Sequence, residues 1–302
     1  MNLLTRSDFD GLACAAILKD IGVIDTWKFV HPKDIQDGLV SVTSDDVLAN
    51  VPYVEGCGLW FDHHESEDER VDIQSLQFNG SVKFLDSAAH VVYDYYKDQH
   101  DLSKFDELIS AVDKVDSAKL SIDEILRPTG WIMLGFVMDP RTGLGRFRDF
   151  RISNYQLMEK LIELCRVQSI DEIMRDPDIS ERVDIYNQQS VLFIDMLKTR
   201  SYTKGKVIIT DLRNVETIYA GNRFTIYSLF PEQNISMWIV DGRDKLNCPI
   251  AVGYSIINRT ATVNVGSILL SYGGGGHRQV GTCQVAYGDC DQVVSELIEK
   301  LQ

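Results

Sequence analysis

Short apolar runs and a helix-forming segment alternate through the first sixty or so residues, and two of the runs end in side chains that bind metals or phosphate. Residues 2–5, 26–30, 47–49 and 59–61 read as strands. Residues 11–21, GLACAAILKDI, have the spacing and composition of a helix. Strands that alternate with helices pair in parallel through crossover connections. A parallel sheet gathers its ligands at the carboxyl ends of its strands. TRSDFDG and FDHH both stand at such ends. The pattern therefore predicts an α/β fold with an N-terminal parallel sheet and a site along its C-terminal edge.

A chain of 302 residues suggests two domains. From residue 87 to about 201 the sequence is mostly helical. SAAHVVYDYYKDQ, FDELISAVDKVDSA, NYQLMEKLIELC and ISERVDIYNQQSVLFIDMLK carry apolar residues at i, i+3 and i+4. Their Met, Tyr and Leu stripes are expected core. At TRSYTKGK the helical pattern stops, which places a boundary between a first domain, 1–198, and a second, smaller α/β domain, 199–302. There VIITDL, FTIYSLF, ISMWIVD, PIAVGYSII and VGTCQVA read as strands and VNVGSILLSY as a helix. Asp289 or Asp291 is placed to cap a final helix, DQVVSELIEKL.

The net charge of −15 argues against a protein that coats long nucleic acid, which needs a broad basic surface. It leaves room for a short polyanion held in one cleft by metal ions and a few arginines. No run of apolar residues is long enough for a membrane helix, and the N-terminus lacks the basic start and apolar core of a secretory signal. The six cysteines form no CxxC pair, which fits reduced thiols in a cytoplasmic protein. Apolar surfaces on the helical region leave a homodimer open.

Five groups of residues can carry chemistry. Asp8 and Asp10 alternate after the first strand, so both carboxylates can address one site and suit Mg²⁺ or Mn²⁺; equally, one caps the next helix and the other is solvated. Asp62, His63 and His64 follow the fourth strand, and imidazole beside carboxylates favours Mn²⁺ over Ca²⁺. Asp113 and Asp116 share a helix face, which presents either of them to that cluster or neither. SYGGGGH ends four glycines on His277; their ordering is entropically costly, and a loop whose amides approach a phosphate accounts for it. Arg141, Arg146, Arg148 and Arg151 interleave with Phe147 and Phe150, either as phosphate and base contacts or as a solvated basic segment.

With these residues assembled, the chain resembles the DHH/DHHA1 phosphoesterase superfamily, which includes RecJ-type exonucleases, nanoRNases and cyclic-dinucleotide phosphodiesterases. The resemblance covers nearly the whole chain: SDFDG as first motif, FDHH as third, an Asp of DKVDSA as fourth, and GGGGHRQVG as the signature of the second domain. It implies that Asp10, His63 and Asp116 ligate one metal, Asp8 serves a neighbouring metal, His64 contacts the scissile phosphate and Asp62 orients its neighbours. It also implies that Gly274, Gly275, Gly276, His277 and Arg259 bind substrate from the second domain, with the active site in the cleft between domains.

Two departures stand out. The family carries a His two or four residues before the first Asp, where this chain has Arg6 and Leu4. The family's acid before FDHH aligns with Asn50 in VLANVPY, unless another register brings in Asp45 or Asp46. Arg6 is thus placed to supply fixed positive charge where a first cation would sit, and one well-formed Mn²⁺ site, with Mg²⁺ as alternative, is expected. The implied activity is hydrolysis of short oligoribonucleotides or dinucleotides to mononucleotides, with His64, Arg6, Arg259 and Arg146 meeting phosphate. A phosphatase or pyrophosphatase for a small phosphate compound, or a dinucleotide-binding protein without catalysis, are the alternatives.

Overall fold

The computed structural model describes residues 1–64, 67 and 70–302. Two compact units divide the chain. The first holds Met1–Lys119, Pro128–Pro140 and Gly145–Asp184; the second holds Leu120–Arg127, Arg141–Leu144 and Ile185–Gln302.

The first unit is built on five strands: β1 (Asn2–Thr5), β2 (Thr26–Phe29), β3 (Asp46–Ala49), β4 (Leu59–Asp62) and β5 (Gly80–Val82). They lie in the order β2-β1-β3-β4-β5, and every pairing is parallel. β3 is buried from end to end, as a strand covered on both faces must be. The faces alternate along β4. Trp60 packs on Tyr53 and Phe78, whereas Phe61 meets Tyr95 and Tyr96 of α3 (Ala88–Tyr96). β5 escapes sequence reading because it is three residues long and opens on a glycine. That glycine is required: Gly80 has φ +117°, and a Cβ there would lie 2.1 Å from the Trp60 carbonyl oxygen.

The helix after β1, α1 (Phe9–Asp20), is buried along most of its length. Asp8 caps it, accepting from the Gly11 amide at 2.9 Å. Gly11 lets the helix start close against the end of β1, since a Cβ would meet the Arg6 carbonyl oxygen at 2.1 Å. A short α2 (Pro32–Gln36) follows β2. The helical stretch contains α3, α4 (Asp106–Asp116), α5 (Ile122–Leu126), α6 (Gly130–Met138), α7 (Asn154–Val167), α8 (Ile170–Arg175) and α9 (Pro177–Arg200).

The second unit carries β6 (Ser201–Lys204), β7 (Val207–Asp211), β8 (Ile235–Ile239), β9 (Asn247–Tyr254), β10 (Gly275–Gly276) and β11 (Val280–Ala286) in the order β10-β11-β9-β8-β7-β6. β7 and β8 are parallel and the other pairs antiparallel. Val207, Ile209, Met237, Val252, Leu269 and Leu297 belong to its core. α11 (Val265–Leu270) and α12 (Cys290–Lys300) supply the last two of these.

FTIYSLF, expected as a strand, is instead the helix α10 (Thr225–Leu229). Asn222 turns the chain into it: its side-chain oxygen accepts from Phe224 N at 3.0 Å and its carbonyl from Thr225 N at 3.0 Å. Burial of Ile226 and Tyr227 then overrides the β preference of the aromatic and branched residues. Asp289 occupies the N-cap position of α12 but makes no capping bond, and Asp291 pairs with Arg213 at 2.8 Å. All six cysteines are free. Among the described residues no helix is long and apolar enough to cross a membrane.

Candidate metal centre

β1 and β4 flank β3 and, being parallel to it, end at the same edge of the sheet, which brings together the residues that follow each strand. One ring nitrogen of His63, Nδ1, lies 3.2 Å from the Leu85 carbonyl oxygen. A carbonyl only accepts, so Nδ1 donates to it, and in the neutral tautomer of the ring the lone pair falls on Nε2. Nε2 is buried without a hydrogen-bond partner among the described residues. It stands 3.3 Å from Asp116 Oδ2 and 3.8 Å from Asp10 Oδ2. One ligand atom from each of the three residues lies within 4.8 Å of the others.

Asp10 is buried, and both its oxygens are fixed by the start of α3: Oδ2 accepts from Ala88 N at 3.0 Å and Oδ1 from Ala89 N at 2.7 Å. Burial pushes its pKa well above the usual carboxylate range, and the charges of Asp116 and Asp8 push it further, against those two amides. Asp116, at the end of α4, is raised as well. Burial is the main cause and Asp8 adds to it, while His63, His64 and Arg6 oppose. A lone pair and two carboxylates thus converge with negative charge in excess. A divalent cation satisfies all three, and one imidazole with two carboxylates suits Mn²⁺ or Mg²⁺.

Asp8 is committed elsewhere. Besides capping α1, its Oδ1 accepts from Asn50 Nδ2 at 3.1 Å, and its Oδ2 lies 3.0 Å from Arg6 Nε. Asn50, at φ +57° just after β3, is a residue type that tolerates this backbone. The strand places Asn50, and neither Asp45 nor Asp46, beside Asp8. Asp46 sits at the opposite end of β3, bonded to Thr43 and Asn2, and Asp45 precedes it.

Asp62, buried at the end of β4, accepts from His64 Nδ1 at 2.8 Å. Burial works against a charged His64. The hydrogen bond and charge of Asp62, joined by Asp116 and Asp10, prevail and raise its pKa. Of the two acids on α4, Asp116 joins the triad, while Asp113 turns to Ser87 and His90. The sequence reading passed over the start of α3, whose amides hold Asp10. Its signal was Ser87, a good N-cap residue ahead of the apolar run AAHVV.

The other expected site residues lie outside the triad. The GGGG run has a structural use that the sequence did not disclose. β10 pairs with β11, a Cβ on Gly274 would meet Thr282 O at 2.1 Å, and Gly276, at φ +150°, leaves 2.3 Å to Val280 O. His277 is exposed, its backbone bonded to Val280 and Gly266. Arg259 is exposed and its Nε donates to Ile256 O at 3.0 Å. Arg146 is exposed in the first unit. Of the aromatic residues near it, Phe150 is stacked under the buried Arg182 at 4.0 Å.

No protein-family model matches the chain, and no curated protein does. Solved structures do. A pGpG-specific phosphodiesterase, PggH from Vibrio cholerae, is 45% identical over 99% of this chain and 98% of its own, with a TM-score of 0.91. RecJ from Thermus thermophilus, solved with Mn²⁺, is 11% identical, matches 99% of this chain and 51% of its own, and has a TM-score of 0.54. An exopolyphosphatase-related protein from Bacteroides fragilis is 10% identical over 99% and 91% of the two chains, with a TM-score of 0.52. The last two share the fold. The first shares nearly half of all residues end to end, and with the motifs placed as described, this chain belongs to the DHH/DHHA1 phosphoesterase superfamily.

Proposed function

We propose that this protein is a phosphodiesterase that hydrolyses a linear 5′-phosphorylated dinucleotide of the pGpG type: one water is consumed, the bridging P–O3′ bond breaks and two GMP are released. The observation that carries this reading is the end-to-end 45% identity to a pGpG-specific phosphodiesterase, in a chain whose Asp10, His63 and Asp116 converge.

Asp10, His63 and Asp116 would hold one divalent cation, with Mn²⁺ favoured by the imidazole. When bound, the cation supplies Lewis acidity towards a phosphoryl oxygen and the attacking water. The chain's own side chains do the rest. Asp62 accepts from His64 Nδ1 and favours the doubly protonated ring, whose Nε2–H then donates to a phosphoryl oxygen. Arg6, held against Asp8, contributes a permanent positive charge that needs no metal. Gly274, Gly275, Gly276, His277, Arg259 and Arg146 contact the rest of the dinucleotide, a role supported by the family resemblance and, for His277, Arg259 and Arg146, by their exposure.

Product analysis tests the reading. pGpG, pApA, a five-residue RNA and cyclic di-GMP are incubated side by side with the Mn²⁺-loaded chain. Conversion of pGpG to GMP, with the five-residue RNA and the cyclic compound largely intact, is expected. Release of inorganic phosphate instead would assign a phosphatase, and no turnover of any substrate by a folded, metal-loaded chain would leave a binding protein.

A further inference from the structure

Three side chains next to the triad form a closed set of hydrogen bonds that the proposed chemistry does not use. Asp113 accepts from Ser87 Oγ at 2.6 Å through one oxygen and from His90 Nδ1 at 2.7 Å through the other. Ser87 in turn accepts from His90 N at 3.1 Å, as the N-cap of α3. The amides between them, Ala88 N and Ala89 N, are those that bond Asp10. Ser87 and Asp10 therefore share the open donors at the start of α3. Asp113 ties that same helix start to α4, one turn before Asp116.

We propose that Asp113 is a positioning residue of the metal centre: by clamping Ser87 and His90 it fixes the start of α3, and with it Asp10, against the helix that carries Asp116. The inference rests on the reading of Asp10, His63 and Asp116 as ligands. Two of these ligands reach the site from different parts of the chain. Asp10 is aimed by α3 and Asp116 rides on α4, so their separation is set where the two helices meet. The Asp113 carboxylate spans that junction with one oxygen for each partner. Asp113 touches neither the ion nor a ligand and acts through the helix start whose amides bond Asp10. Loss of a partner bonded directly to a ligand weakens metal binding by about 10- to 100-fold, which sets the upper scale of the effect.

The test measures Mn²⁺ affinity by calorimetry and by the electron paramagnetic resonance of bound Mn²⁺, with thermal unfolding of the metal-free chain alongside. Asp113→Ala is expected to weaken Mn²⁺ binding by up to about 100-fold and broaden the bound-ion spectrum. Asp113→Asn keeps an acceptor for the Ser87 hydroxyl and loses the charge, so it should recover part of the affinity. Ser87→Ala and His90→Ala each remove one arm and should fall between wild type and Asp113→Ala; they carry the test if Asp113→Ala does not fold. Unchanged Mn²⁺ affinity in the folded variants would overturn the positioning role while leaving the ligand assignment intact. Equal losses in Asp113→Ala and Asp113→Asn would overturn it too, pointing to charge alone. A wild-type chain that takes up no Mn²⁺ would instead refute the ligand assignment, and this inference with it.

Discussion

Arg6 Nε stands 3.0 Å from Asp8 Oδ2. Asn50 takes the other oxygen of the same carboxylate at 3.1 Å. Where the family resemblance calls for a histidine and an acid around a first cation, this chain has a guanidinium and an amide; the first forms an ion pair with Asp8 and the second a hydrogen bond. The carboxylate is therefore neutralised by the protein itself. Wild type is expected to bind one tight Mn²⁺ per chain in a calorimetric titration. The double variant Arg6→His, Asn50→Asp rebuilds the missing donors and should bind two; two tight ions in wild type would contradict the account.

Arg6 should matter to turnover more than to the bound ion. Removing a charged donor aimed at the developing phosphate charge lowers kcat by about 10²- to 10³-fold. For Arg6→Ala, steady-state kinetics on pGpG should show a loss of this size, with the Mn²⁺ affinity at the triad within a few-fold of wild type.

The raised carboxyls of Asp10 and Asp116 make metal binding depend on pH. In the metal-free chain both hold protons to a higher pH than ordinary carboxylates. Their contribution to stability is present at low pH and is lost as pH rises through the raised values. The cation needs both deprotonated, so Mn²⁺ binding should release protons and weaken as pH falls towards the carboxylate range. Near neutral pH, Mn²⁺ at about 100 times its Kd should stabilise the fold by about 2.7 kcal/mol. Asp116→Asn should lose most of that thermal shift without lowering the Tm of the metal-free chain, because it also removes a charge that opposes Asp10.

Gly276 is fixed by backbone geometry rather than by entropy. At φ +150°, with Val280 O 2.3 Å from a would-be Cβ, Gly276→Ala must distort the β10–β11 hairpin. Strain of this kind costs about 1–3 kcal/mol, so thermal unfolding should show a lowered Tm. If the loop also holds substrate, KM for pGpG should rise.

The sequence made the first sheet legible because parallel strands buried on both faces read as short apolar runs, and because two of the three ligands, Asp10 and His63, come soon after β1 and β4. Spacing alone left Asp113 and Asp116 undecided and only the family resemblance chose Asp116, since their difference lies in what each meets. Ser87 and His90, which claim Asp113, come from another helix. The two-strand hairpin of the GGGG run was hidden for a related reason: four glycines announce freedom, and only the partner strand shows why side chains are excluded. α10 misled in the opposite sense. Its Ile and Tyr, with the flanking Phe224 and Phe230, favour a strand in isolation, but the turn bonds of Asn222 and the burial of Ile226 decide for a helix.

The central claim is that a cation held by Asp10, His63 and Asp116 drives dinucleotide hydrolysis. Its most direct test is to strip the chain with a chelator, add back Mn²⁺ stepwise and follow GMP release from pGpG, for wild type and for His63→Ala. The account predicts no activity in the stripped chain, recovery that saturates at one Mn²⁺ per chain in wild type, and no recovery at that stoichiometry in His63→Ala. Full activity in the stripped chain, or recovery in His63→Ala equal to wild type, would contradict it.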